Sequence, residues 1–131
     1  MINFEYDLGV VGLGYVGLPL AVESANAGLK VIGYDVNPER VHEINNGKSP
    51  IEDISDNELS KASNSFTASD NPSRLSKCHH IVISVPTPLT DYQPDLSYVE
   101  AAAKSVGENL VSNQVIILES TTYPGTTLEV L

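Results

Sequence analysis

Short apolar runs alternate along this chain with longer amphipathic stretches. "DLGVVG" (7–12), "KVIGYD" (30–35) and "HIVISV" (80–85) are continuously apolar rather than alternating, the pattern of strands buried on both faces of a parallel sheet. "QVIILES" (114–120) reads as a further strand and "SFTAS" (65–69) as a weaker one. Between them lie helical segments. Residues 15–27 form one, with Pro19 in its first turn and Gly28 as C-cap. Residues 37–47 form another, with Asn37 as N-cap, Pro38 at the first helical position, Val41 and Ile44 on one face and Gly47 as stop. A short helix capped by Ser55 or Asp56 and another in "NPSRLSKC" follow. Residues 95–110 give the clearest helical pattern, with Ser97 and Glu100 spaced as a capping box. "PTPLTDYQPDL" carries three prolines and reads as a loop. The order predicts an α/β fold, a doubly wound and mostly parallel sheet with helices on both faces. "YPGTTLEVL" starts a helix on which the chain stops, so residues 1–131 are expected to be one domain, the N-terminal piece of a larger enzyme.

Length and composition narrow the function without naming it. The chain has 131 residues, 41% hydrophobic and 18% charged, enough for one packed core. Its net charge of −10, with seven Lys and Arg spread singly, argues against nucleic acid or an anionic membrane as partner. It leaves anionic small molecules open, because backbone N–H groups at a helix N-terminus hold a phosphate whatever the global charge. One cysteine, Cys78, precludes an internal disulfide and fits a reducing cytoplasm. No apolar stretch approaches the roughly 20 residues of a membrane helix, and the N-terminus does not resemble a signal peptide.

The first strand runs into "GLGYVG", a G-x-G-x-x-G turn, with the next helix beginning on it. In a Rossmann-type site Gly12 permits the tight turn, Gly14 lets a pyrophosphate approach the backbone and Gly17 lets helix pack on sheet. Asp35 then falls at the end of the second strand, roughly 20 residues on, where a carboxylate accepts both adenosine ribose hydroxyls and repels a 2′-phosphate. No basic residue adjoins Asp35, which favours NAD over NADP. The blander reading is a βαβ turn that needs glycine for geometry alone, with Asp35 a solvated strand-end acid.

Five blocks extend the reading: "GLGYVGLPLA", "GYDVNPERVHEINNGKSPIEDIS", "VISVPTPL", "PDLSYVEAAAKSVGENL" and "LESTTYPGTTLEVL". Together, over residues 7–131, they resemble the N-terminal NAD-binding domain of the UDP-glucose/GDP-mannose dehydrogenase family, the nucleotide-sugar 6-dehydrogenases. "NNGKSPIEDIS" and "ESTTYPGTT" are most similar to the UDP-N-acetylglucosamine 6-dehydrogenase branch. The resemblance implies oxidation of a UDP-sugar C6 alcohol, of UDP-N-acetyl-hexosamine or UDP-glucose, to a carboxylate with two NAD+. A cysteine thiolate would trap the aldehyde and carry a thioester that water hydrolyses. That cysteine, with its lysine and aspartate, belongs to later domains that also bind the sugar nucleotide and that this chain lacks. The parent is expected to be a homodimer or higher oligomer, joined through the central helical region.

Carried over residue by residue, the resemblance assigns Gly12, Leu13, Gly14, Tyr15, Val16 and Gly17 to the pyrophosphate loop and Asp35 to the adenosine ribose. It places Arg40 beside that ribose and Thr87 of "VPTP" on the cofactor. Thr121 of "EST" falls near the nicotinamide, in a supporting catalytic role that helps hold water. From the residues alone, Arg40 could instead be a solvated residue pairing with Glu39 or Glu43, Thr87 a turn residue and Thr121 a helix N-cap. Cys78 reads as a packing residue at the wrong end of its strand, and His79 and His80 lack the further ligands of a metal site. Two alternatives remain: a 3-hydroxyacid or 6-phosphogluconate-type dehydrogenase, which shares the early glycines, and a stand-alone NAD-sensing module without catalysis.

Overall fold

The computed structural model describes residues 4–90 and 93–119. Five strands form a parallel sheet: β1 (Tyr6–Val11), β2 (Val31–Tyr34), β3 (Phe66–Ser69), β4 (Cys78–Ile83) and β7 (Val115–Leu118). Their spatial order is β3-β2-β1-β4-β7, so the direction of winding reverses between β1 and β4. One level of the register crosses the whole sheet, through Ala68, Gly33, Val10, Val82 and Ile117. Helices α1 (Gly17–Asn26), α2 (Pro38–Asn45), α3 (Asp56–Ala62) and α4 (Ser97–Glu108), with a 3₁₀ helix at Pro72–Lys77, complete the main framework.

The continuous apolar runs are explained by two cores, one on each face. Leu8, Val10, Val31, Phe66, Ala68 and Val82 pack beneath α1, α2 and α3. On the other face, Val11, Ile32, Tyr34, Ile81 and Ile83 pack with Leu75 of the 3₁₀ helix and with Ala102 and Val106 of α4. Side chains alternate along β4, so Ile81 and Ile83 enter one core and Val82 the other. The exposed edge of β3 is held by Asn45, whose amide donates to the Ala68 carbonyl and accepts from the Ala68 N–H, both at 2.9 Å. At the opposite edge, Val115 and Ile117 of β7 stay partly exposed.

Local chemistry sets most element boundaries. Asn37 caps α2 by accepting from Glu39 and Arg40, with Pro38 at the first position, as the sequence predicts. Ser55, rather than Asp56, caps α3, and its pairing with Glu58 is a complete capping box. Two expectations are corrected. Ser97 is not an N-cap: it lies inside α4, Leu96 holds the cap position, and the Ser97 N–H is received by Asp95 Oδ1 at 2.9 Å. An aspartate two residues upstream has taken the role that the Ser97–Glu100 spacing suggested. The proline-rich stretch is not wholly loop, because Leu89–Thr90 (β5) and Gln93–Pro94 (β6) pair as a short antiparallel ribbon. Pro94 sits there in a two-residue strand, the edge position that its missing N–H allows. The helix expected in "NPSRLSKC" is 3₁₀, capped by Asn71. The remaining ends differ from the sequence expectations by a few residues. The helix expected after residue 122 lies outside the described residues.

Candidate functional site

The turn between β1 and α1 separates the three glycines by what the fold demands of each. Gly12 has φ +95°, and a Cβ there would stand 2.6 Å from the Ser84 carbonyl oxygen. At Gly17 a Cβ would stand 1.7 Å from the Gly12 carbonyl oxygen, so any side chain would push α1 off the turn. Gly14 is different. Its φ lies outside the left-handed region, and a Cβ would meet only Arg40 Nη1, at an ordinary 3.8 Å. Packing requires glycine at 12 and 17 but not at 14.

The N-terminus of α1 opens on the same turn. Its cap residue, Val16, offers no side-chain acceptor, and the first turn carries no acid, although the chain holds 17 Asp and Glu. By contrast α2 begins with Glu39, α3 with Asp56 and Glu58, and α4 with Glu100. The start of α1 therefore carries no acid to offset the positive end of its helix dipole. Tyr15 and Val16 are 70% and 57% exposed beside it. Leu13 turns the other way: its side chain is fully buried over Gly33. It anchors the loop in the core instead of presenting a side chain to the sheet edge.

Asp35 follows β2 and is only 7% exposed. Its Oδ2 accepts the Leu13 N–H and its Oδ1 the Asn37 N–H, each at 2.9 Å. Arg40 Nη1 lies 3.5 Å from Oδ2. This corrects the statement that no basic residue adjoins Asp35: one turn of α2 brings Arg40 back over the strand end. The pairing of Arg40 with its helix neighbours Glu39 or Glu43 is replaced by this longer-range contact. The carboxylate is thus not a solvated strand-end acid. It clamps the glycine turn to β2, with part of its acceptor capacity already used.

At the end of β4 the chain passes through Ser84, Val85, Pro86 and Thr87. Thr87 is partly buried between two exposed prolines, at the same sheet edge as the glycine turn. Thr121 lies outside the described residues. Sequence reasoning passed over Ser84, which is 7% exposed. Among the described residues the buried polar ones are Asp35, Ser69 and Ser84, and all lie at the C-terminal ends of parallel strands. Asp35 and Ser69 accept backbone N–H groups, whereas Ser84 Oγ has no partner among the described residues. The only advance signal was a hydroxyl ending the apolar run "IVIS".

The opposite edge holds Cys78, His79 and His80. Cys78 is fully buried, with its sulfur 2.7 Å from where a Cβ on Gly9 would stand. Burial pushes its thiol up from 9.0 to about 12, partly countered by Arg74 and reinforced by Glu5. Such a thiol is no nucleophile. His79 stacks on Phe4, with ring centroids 5.1 Å apart, and meets His80 edge to face. Among the described residues no three His, Cys, Asp or Glu gather as metal ligands, and no helix is long and apolar enough to cross a membrane. A cavity of about 410 Å³ between α2, α3 and β3 is lined by no charged residue and lies away from the glycine turn.

Residues 6–131 match the model of the UDP-glucose/GDP-mannose dehydrogenase family, NAD binding domain. UDP-N-acetyl-D-glucosamine 6-dehydrogenase of Pseudomonas aeruginosa is 43% identical over 127 residues, covering 95% of this chain and 29% of that protein. The solved UDP-D-ManNAc dehydrogenase of Pyrococcus horikoshii superposes with a TM-score of 0.89 at 37% identity, over 95% of this chain and 30% of that one. A ternary complex of GDP-mannose dehydrogenase from Pseudomonas aeruginosa gives a TM-score of 0.88 at 28% identity, over 94% and 30%. The chain therefore spans about three tenths of the length of these relatives.

Proposed function

Because this chain belongs to the UDP-glucose/GDP-mannose dehydrogenase family and corresponds to its NAD-binding domain, we propose that it is the cofactor half of a nucleotide-sugar 6-dehydrogenase. The parent protein oxidises the C6 alcohol of a UDP-sugar, UDP-N-acetyl-hexosamine in the first instance, to a carboxylate. It acts in the cytoplasm as a homodimer or higher oligomer, for polysaccharide biosynthesis. The N-acetyl-hexosamine is favoured by the name and 43% identity of the Pseudomonas relative.

The observation that carries the reading is the contrast among the glycines. Space is left open at Gly14, where the fold itself requires none, beside a helix start free of carboxylates. The residues present fit a dinucleotide. The turn from Gly12 to Gly17, with Tyr15 and Val16 on its outer side, would receive the pyrophosphate. Asp35 and Arg40 would hold the adenosine ribose, the carboxylate through the acceptor capacity that the Leu13 and Asn37 N–H groups leave. A 2′-phosphate there would meet a buried carboxylate, which favours NAD. Thr87 would border the cofactor from the end of β4, and Thr121 would act from the segment after β7. When bound, NAD+ supplies the hydride acceptor.

This chain orients and holds; it does not supply the nucleophile. Its one cysteine is buried at the far edge of the sheet with a raised pKa. The nucleophile and the sugar site therefore belong to other parts of the parent. The test is turnover by the whole protein with UDP-N-acetylglucosamine and NAD+. Release of two NADH per sugar supports the proposal. NADH binding without turnover on any UDP-sugar would instead favour a sensing module.

A further inference from the structure

Ser84 Oγ is a buried hydroxyl without a hydrogen-bond partner among the described residues, a state that costs free energy unless something else completes it. Its position is well defined. The Ser84 N–H donates to the Val11 carbonyl at 2.7 Å, carrying the β1–β4 ladder one residue past β4. Alternation along β4 then places the Ser84 side chain on the Val82 side, the face that α1 covers. Its own carbonyl is the oxygen that a side chain on Gly12 would strike. The strand end that carries the orphan hydroxyl thus borders the crevice where the winding reverses, beside the uncapped start of α1.

We propose that Ser84 Oγ hydrogen-bonds the dinucleotide on its nicotinamide side, beyond the pyrophosphate. The sheet order supplies the direction. Asp35 marks the end of β2, the glycine turn follows β1, and β4 is the next strand across. Strands stand roughly 4.8 Å apart, so the ends of β2 and β4 are separated by roughly 10 Å. A ligand with its adenosine ribose at Asp35 and its pyrophosphate on α1 therefore brings its second ribosyl half to β4. Ser84 is a positioning residue for that half and takes no part in proton transfer. The inference rests on the dinucleotide reading above and deepens it.

The whole protein and its Ser84→Ala variant are compared by calorimetric titration with NADH and with AMP, alongside the thermal midpoint without ligand. Loss of one hydrogen bond predicts NADH binding weakened about five- to tenfold, with AMP binding unchanged. The ligand-free midpoint should hold or rise, because an unsatisfied buried group has been removed. A hydroxyl with a structural partner would lower the midpoint, and that result overturns the inference. So does unchanged NADH affinity, or an equal loss for AMP. If the unaltered protein binds NADH while the variant matches it, this inference alone fails. If the unaltered protein binds no NADH, the dinucleotide reading fails with it.

Discussion

The backbone N–H of Leu13 donates to Asp35 Oδ2 at 2.9 Å, joining the glycine turn after β1 to the acid after β2 across 22 residues. The carboxylate that faces a ribose in the proposed complex is therefore also a clamp that shapes the turn. With Asn37 N–H on the other oxygen, Asp35 helps set the start of α2 as well. Cofactor recognition and local folding share one side chain.

Substituting Asp35→Asn tests that double role. The amide keeps one acceptor but turns an NH₂ toward a backbone N–H, and Arg40 loses its counter-charge. Stability should fall by about 2–4 kcal/mol, since a hydrogen bond to a buried charge is broken and a donor is left unpaired. Urea unfolding reads this directly. NADH affinity should fall as well. Unchanged stability would mean that the Leu13 contact does not constrain the turn.

Gly17→Ala should act on folding before it acts on binding. The added methyl would sit 1.7 Å from the Gly12 carbonyl oxygen, which belongs to backbone and has no rotamer to escape into. A loss of more than about 3 kcal/mol, or failure to accumulate folded protein, is expected from overpacking at this contact. Circular dichroism on thermal unfolding measures it. A variant as stable as the parent would show that α1 can move away from the turn.

Cys78 makes an alkaline prediction. Its folded pKa is raised to about 12 from an ordinary 9.0, so the folded state retains a proton that the unfolded chain gives up. The resulting stability is fully present below pH 9.0 and is lost as pH rises toward about 12. Guanidinium unfolding across that window should show a steeper decline for the parent than for Cys78→Ala. In the folded protein at about pH 8, the thiol should resist a disulfide reagent that labels it once unfolded. Rapid labelling under native conditions would contradict the burial.

Much of this was legible in the chain. Continuous apolar runs fixed the parallel sheet, because strands covered on both faces admit no polar alternation. Gly12 announced a tight turn and Gly17 the close packing of helix on sheet, and Asn37 with Pro38 announced α2. Contacts that depend on how elements meet were not legible. Arg40 reaches Asp35 only because α2 folds back over β2. Leu13 looked like a loop residue until the sheet placed its side chain over Gly33. The cap position of α4 fell to Leu96 instead of Ser97, with Asp95 accepting the Ser97 N–H, since either spacing suits a helix start and the approaching chain chooses. Ser84 is one serine among many by sequence, and only burial without a partner distinguishes it.

The central claim is that the opening at Gly14 is kept for a dinucleotide rather than for the fold. Gly14→Ala separates the two, because a Cβ there meets nothing closer than 3.8 Å in the protein itself. Titration of NADH into the whole protein and this variant, with thermal midpoints recorded together, is the most direct measurement. The midpoint should be unchanged or slightly raised and NADH affinity reduced at least about tenfold, since a methyl would intrude where the pyrophosphate approaches the backbone. Equal NADH affinity in the two proteins would contradict it.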